Sequence, residues 1–257
     1  MSDLFPNQSY GMKTLRHTRL PIIITEEFDF FRCVVFNDKF YGKTVSELHS
    51  GNLRTNSPNN RYSALFPNKR VSYWADSPQT ARAEVKYHCQ SNNLLTFWAY
   101  DDATSTFPTL PIDESLVVID GLQFGFFEIL DKFEKGYQLT RNEHYLIEDI
   151  LLENPDCLAY ESERNSGGVN YLFFEKGFNK LAIREVSLRL GDYKGKNTNS
   201  IYCAGTCDYA PYLEGYGGYF EPIARTLIDY NYIKSKEYKI RSSIYNQKLQ
   251  KRLGCII

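Results

Sequence analysis

The stretch 71–90 constrains the fold more than any other part of the chain. Val71-Ser72-Tyr73-Trp74-Ala75 reads as a strand, with Val71, Tyr73 and Ala75 on one face and Ser72 and Trp74 on the other. Asp76-Ser77-Pro78 ends that strand and opens a helix. A polar N-cap is followed by Pro in the first helical position, where the missing N–H is not needed. The helix is expected to run to about Gln90. Its residues Ala81, Glu84, Val85, His88 and Cys89 follow the i, i+3, i+4, i+7, i+8 spacing and share one face. A strand thus turns at a tight corner into a helix whose inward stripe carries a carboxylate.

Further strands are expected at 30–36, 117–120, 158–162, 170–174 and 181–190, and the apolar run 20–24 adds one more. Thr140-Arg141-Asn142-Glu143 is a capping box that opens a second helix, with Ile147, Ile150 and Leu151 on one face. Gly167-Gly168 marks a turn. The Asn-, Ser-, Gly- and Thr-rich stretch 42–60 reads as loop, with a short helix at 45–49. Strands dominate and two or three helices pack on them, so the fold class is α+β. No repeat or low-complexity linker divides the chain. The expected organisation is an N-terminal extension (1–27), one mixed domain (28–200), and a C-terminal extension (201–257) packed on that domain.

Composition narrows the function. Of the 257 residues, 42% are hydrophobic and 24% charged, a globular balance. The 20 Tyr and 17 Phe favour strands and supply walls that stack on flat ligands. The net charge of −1 argues against bulk electrostatic binding, so no direct nucleic-acid contact is expected. No apolar run approaches the ~18–20 residues of a membrane span. The N-terminus has no basic start followed by an apolar stretch, so a cytoplasmic protein without membrane contact is expected. The six cysteines are scattered and read as reduced thiols. Cys203 and Cys207 form a close couple without a second Cys or His couple beside it, so no metal is expected. The tail 221–257 holds eight Lys and Arg against three Asp and Glu, a local balance of +5. It reads as a solvated basic helix or as a docking surface for an acidic partner.

Glu84 is the most informative residue. A carboxylate on an inward stripe is costly unless it is paired or lines a cavity. Glu84 is therefore either paired with an Arg at the edge of the core or part of a site. Asn60-Arg61-Tyr62-Ser63 leads through a turn into the strand, so Arg61, Tyr73 and Glu84 can meet at the strand–helix corner. Arg grips a diphosphate by two-pronged charged hydrogen bonds. Tyr stacks on a flat ring. Glu holds a ribose hydroxyl or stabilises a developing positive sugar carbon. These are the tasks of a site that cleaves the nicotinamide–ribose bond of NAD. Other candidates are weaker. His88 reads as a core-edge histidine or a hydrogen-bonding neighbour of the site, and Gly215-Tyr216-Gly217-Gly218-Tyr219 as an ordinary turn or a phosphate-approach loop. The chain has no Walker-type loop and no Gly-x-Ser-x-Gly elbow.

The block from Tyr73-Trp74-Ala75 through Thr80-Ala81-Arg82-Ala83-Glu84-Val85 resembles the Tyr-x-Ala … Thr-Ala-x-x-Glu-Val core of the RES domain family. The family is named for an Arg, a Glu and a Ser. Its Arg lies in a Gly-Arg-Trp-Asn-like segment, to which Arg61-Tyr62-Ser63 is similar. Arg54-Thr55-Asn56 is a second segment of that kind, and Arg32 in Phe31-Arg32-Cys33-Val34 resembles a further family Arg. Tyr160-Glu161-Ser162, followed by Gly167-Gly168 and the next strand, is similar to the Tyr-Pro-Ser element that carries the family Ser. Ser162 is the match, with Ser166 as the alternative. The resemblance spans roughly residues 30–190.

The resemblance implies a single mixed domain with an ADP-ribosyltransferase-like split β-sheet core flanked by helices. It implies a toxin-like enzyme that consumes NAD as substrate, by hydrolysis or phosphorolysis, without a metal. Alternatives are a protein ADP-ribosyltransferase in the same pocket and a non-catalytic binding module with the same fold. In the implied mechanism Arg61, helped by Arg32, binds the phosphates. Tyr73 flanks the nicotinamide, Glu84 stabilises the oxocarbenium-like transition state or orients the incoming water, and Ser162 positions the ribose or Glu84. The implied protein partner is a helix-turn-helix antitoxin.

Overall fold

The computed structural model describes residues 4–5, 9–15, 18–25, 29–36, 62, 65–67, 69–89, 91, 93–100, 115–178, 183–190, 200–205, 234 and 236. Arg54, Arg61, Cys207, the 45–49 helix, the 215–219 run and the basic tail apart from 234 and 236 lie outside the described residues.

Among the described residues, ten strands form one mixed sheet: β1 (Ser9–Leu15), β2 (Thr18–Thr25), β3 (Asp29–Val35), β4 (Val71–Ala75), β5 (Leu94–Tyr100), β6 (Leu116–Asp120), β7 (Cys157–Glu161), β8 (Val169–Phe174), β9 (Ile183–Leu190) and β10 (Ser200–Gly205). Their spatial order is β1-β2-β6-β7-β8-β4-β3-β5-β9-β10. The helices are α1 (Pro78–His88), α2 (Phe126–Glu134), α3 (Arg141–Glu153) and the single turn α4 (Glu175–Phe178). The class is α+β. No helix among the described residues is long and apolar enough to cross a membrane.

Among the described strands, only β6 and β7 run parallel. A parallel pair needs a long crossover, and a 3-10 turn at Gly121–Phe124, α2 and α3 supply it. The capping box of α3 is formed as the sequence predicts. Thr140 Oγ1 accepts from the Glu143 amide at 3.3 Å, and Glu143 Oε2 accepts from the Thr140 amide at 2.7 Å. The first 25 residues contribute two strands where one was expected. β2 pairs with β6, and Leu20 and Ile23 are buried on opposite sides of the sheet.

Strand alternation sorts the apolar residues into two faces. The outer face carries Ile119, Leu158, Leu172 and Phe174, covered by Phe126 and Ile129 of α2 and by Ile147 and Ile150 of α3. Beside it, Cys33, Ala75 and Leu94 pack under Ala81 and Val85 of α1. The inner face joins Phe30, Leu95 and Phe97 from one half of the sheet to Val118, Ala159, Tyr171 and Phe173 from the other. Phe30 on β3 and Tyr171 on β8 have ring centroids 4.7 Å apart, although β4 lies between their strands. In a flat sheet such strands stand about 9–10 Å apart, twice the ordinary spacing. The two side chains therefore lean toward each other across β4, and they join the two halves of the sheet in a shared aromatic core.

β3 and β4 pair only where Phe31 stands opposite Ala75. Beyond that point the strands diverge, and the wedge between them opens into a cavity.

Candidate active site

The cavity has a volume of about 470 Å³. Phe31 to Val35 of β3 and Tyr73 to Ala75 of β4 border it, with α1 along one side. Residues of both sheet faces reach it, as expected of a space opened by a lapse in strand pairing.

The start of α1 determines which of its side chains face this space. Ser77 Oγ accepts from the Thr80 amide at 3.1 Å, and Pro78 occupies the first turn. From that fixed start Ala81, Glu84, Val85, His88 and Cys89 all border the cavity. The stripe read from the sequence is the cavity face of the helix.

Two side chains from the sheet hold the Glu84 carboxylate. Ser162 Oγ donates to Glu84 Oε1 at 2.7 Å, and Asn170 Nδ2 donates to the same oxygen at 2.7 Å. Neutral donors thus do the work that the sequence also allowed an Arg to do. Among the described residues, Glu84 Oε2 has no hydrogen-bond partner.

Ser162 follows directly after β7 and is buried. Its Oγ accepts from the backbone amides of Arg164 and Asn165, at 3.3 and 3.1 Å. The turn 162–168 closes on itself as Ser162 N–H donates to the Gly168 carbonyl at 2.9 Å and Gly168 N–H to that of Asn165 at 2.8 Å. Gly167 supplies the left-handed residue, with φ +77°. The turn is tied to α1 twice more. Asn165 Nδ2 donates to Thr80 Oγ1 at 2.8 Å, and the Arg164 guanidinium lies 3.3 Å from the centroid of the Tyr87 ring. Ser166, the alternative serine, is exposed in the same turn.

Tyr73 borders the cavity half-buried, its ring centroid 5.6 Å from that of Tyr62. Arg32 also borders it, but alternation along β3 groups Arg32 with Phe30 and Val34 on the inner face. There its Nη1 donates to Ser72 Oγ at 3.4 Å. Burial lowers its pKa to about 10, with Cys33 opposing the shift, so the guanidinium is still charged at neutral pH. Burial likewise pushes the Cys33 thiol up, against a hydrogen bond from Thr96. Among the described residues, no group of three His, Cys, Asp or Glu side chains is placed to hold a metal ion.

Asn170 is the site residue that the sequence reading missed. The signal was present: an amide inside the otherwise apolar run Val169–Phe174, every residue of which is buried. A buried amide must find a partner, and Ala75, its register neighbour on β4, lies beside α1.

The arrangement is an apolar, aromatic-walled pocket with one carboxylate oxygen left to meet a ligand. Such a site suits a flat ring and stabilises positive charge that develops beside it. No family model, curated protein or solved structure matches the chain.

Proposed function

We propose that the chain is an NAD-consuming enzyme of the RES type that cleaves the nicotinamide–ribose bond. The observation that carries this reading is Glu84, whose Oε1 is held by Ser162 and Asn170 on a cavity wall while Oε2 has no partner among the described residues. In the reaction, the bond between the ribose C1′ and the cationic ring nitrogen breaks. The electron pair stays on the nitrogen, so nicotinamide leaves neutral. Positive charge passes to C1′ and the ribose ring oxygen, where the Glu84 carboxylate stabilises it. Water or phosphate then bonds to C1′, and water gives up a proton to solvent. The nicotinamide ring takes the apolar walls, flanked by Tyr73. Arg61 binds the diphosphate, and Arg32 assists through the gap between β3 and β4.

The lapse in pairing between β3 and β4 supports reading the fold as the split-sheet arrangement of the ADP-ribosyltransferases. An enzyme that drains NAD harms its own cell. We therefore place the chain in the cytoplasm under the restraint of a helix-turn-helix antitoxin. Expression of the wild-type chain alone should lower cellular NAD and stop growth, whereas the Glu84→Gln form should be tolerated.

The direct test is incubation of the purified chain with NAD. Free nicotinamide is the expected product. Label passing from NAD onto a protein band would assign protein ADP-ribosylation instead. Neither product would leave a binding module without the chemistry.

A further inference from the structure

We infer that Asn170 is a positioning residue, which together with Ser162 divides the Glu84 carboxylate into an anchored oxygen, Oε1, and a working oxygen, Oε2. The kinetic part of this inference rests on the NAD-cleaving reading. The geometric part does not.

What each group can do in a hydrogen bond sets its orientation. The Asn170 amide nitrogen donates and cannot accept. A carboxylate oxygen accepts, so the nitrogen must be the end of the amide that faces Glu84. Ser162 has one proton and an oxygen that already accepts from the Arg164 and Asn165 amides. Its proton is therefore free to point at Glu84, 2.7 Å away. Oε1 receives two donors, which take up its lone pairs. A ligand carrying positive charge meets Oε2.

The two donors come from different elements. Asn170 belongs to β8, held in register opposite Ala75, and Ser162 to the turn after β7. Together they stop the carboxylate from rotating about its terminal bond. Asn170 acts on the reaction through Glu84 and needs no contact with substrate.

The test compares the wild-type chain with Asn170→Ala and Asn170→Asp in steady-state release of nicotinamide from NAD. Displacement of a reacting group by about 1 Å costs up to roughly a hundredfold. Asn170→Ala is expected to lower kcat about tenfold or more while KM stays within about threefold. Asn170→Asp puts a second carboxylate against Oε1 and is expected to lose more. Wild-type kcat in Asn170→Ala, or a loss confined to KM, overturns the proposal. A second measurement needs no activity. Urea midpoints of Glu84→Ala, Asn170→Ala and the double variant form a cycle, and the two single effects should not add. If the wild-type chain releases no nicotinamide, the NAD reading fails alone. The cycle then decides the anchor: non-additive effects sustain it and additive effects overturn it.

Discussion

Glu84 and Ser162 lie 78 residues apart in the chain and are joined by a 2.7 Å hydrogen bond at the wall of the cavity. One sits on a helix that opens a strand–helix corner, the other at the end of a strand two positions away in the sheet. Their meeting converts an otherwise costly inward carboxylate into a fixed one.

Glu84→Gln should lower NAD cleavage by roughly a hundredfold or more, the usual effect of losing one electrostatic group at a developing charge. A Gln oxygen can keep both bonds from Ser162 and Asn170, so the change falls on the other end of the group. Circular dichroism and the urea midpoint should match the wild type. Turnover close to wild type in the folded variant would remove Glu84 from the chemistry.

Arg61→Lys should weaken NAD binding although the charge is kept, because Lys lacks the planar fork that grips a diphosphate. KM should rise about tenfold with a smaller change in kcat. Normal binding by Arg61→Lys together with weak binding by Arg54→Lys would transfer the phosphate role to Arg54.

Gly168→Ala should push the 162–168 turn away from α1. The added Cβ would stand 2.6 Å from Thr80 Oγ1 and 3.0 Å from the Asn165 carbonyl oxygen, both part of the network that holds Ser162. A stability loss of about 1–3 kcal/mol is expected from such crowding, along with a lower kcat. An Ala variant as stable and active as wild type would show that the turn is not held tightly.

The capping box of α3 predicts an acid dependence. The bond from Lys132, and then that from the Thr140 amide, hold the Glu143 carboxyl at a pKa of about 2, against 4.5 for a free group. The folded state therefore favours the ionised form. Its stabilising effect is full above about pH 4.5 and fades as the pH falls toward about 2. Urea midpoints of wild type and Glu143→Gln should differ at pH 6 and converge near pH 2. A gap that stays constant over that range would deny the linkage.

Short-range physics made part of this protein legible in its sequence. The strand Val71–Ala75, the Ser77-Pro78 start of α1 and the Thr140–Glu143 box each depend on residues within four positions of one another. Side-chain caps and helical spacing act over just that range, so the cavity face of α1 could be read before any fold was known. β5 and α2 carry no such short-range signal. Leu94–Tyr100 is apolar on both faces and lacks the alternation that marks a half-exposed strand. Phe126–Glu134 begins at a left-handed Gly125 without a side-chain cap. What decides the site is tertiary. The cavity exists because β3 and β4 part after Phe31 and Ala75, and Glu84 is anchored because the β7–β8 turn brings Ser162 and Asn170 under α1. Sheet register and the lapse between β3 and β4 arise from packing between segments far apart in the chain. The sequence determined which side chains α1 would present, and only the folded sheet decided what they would meet.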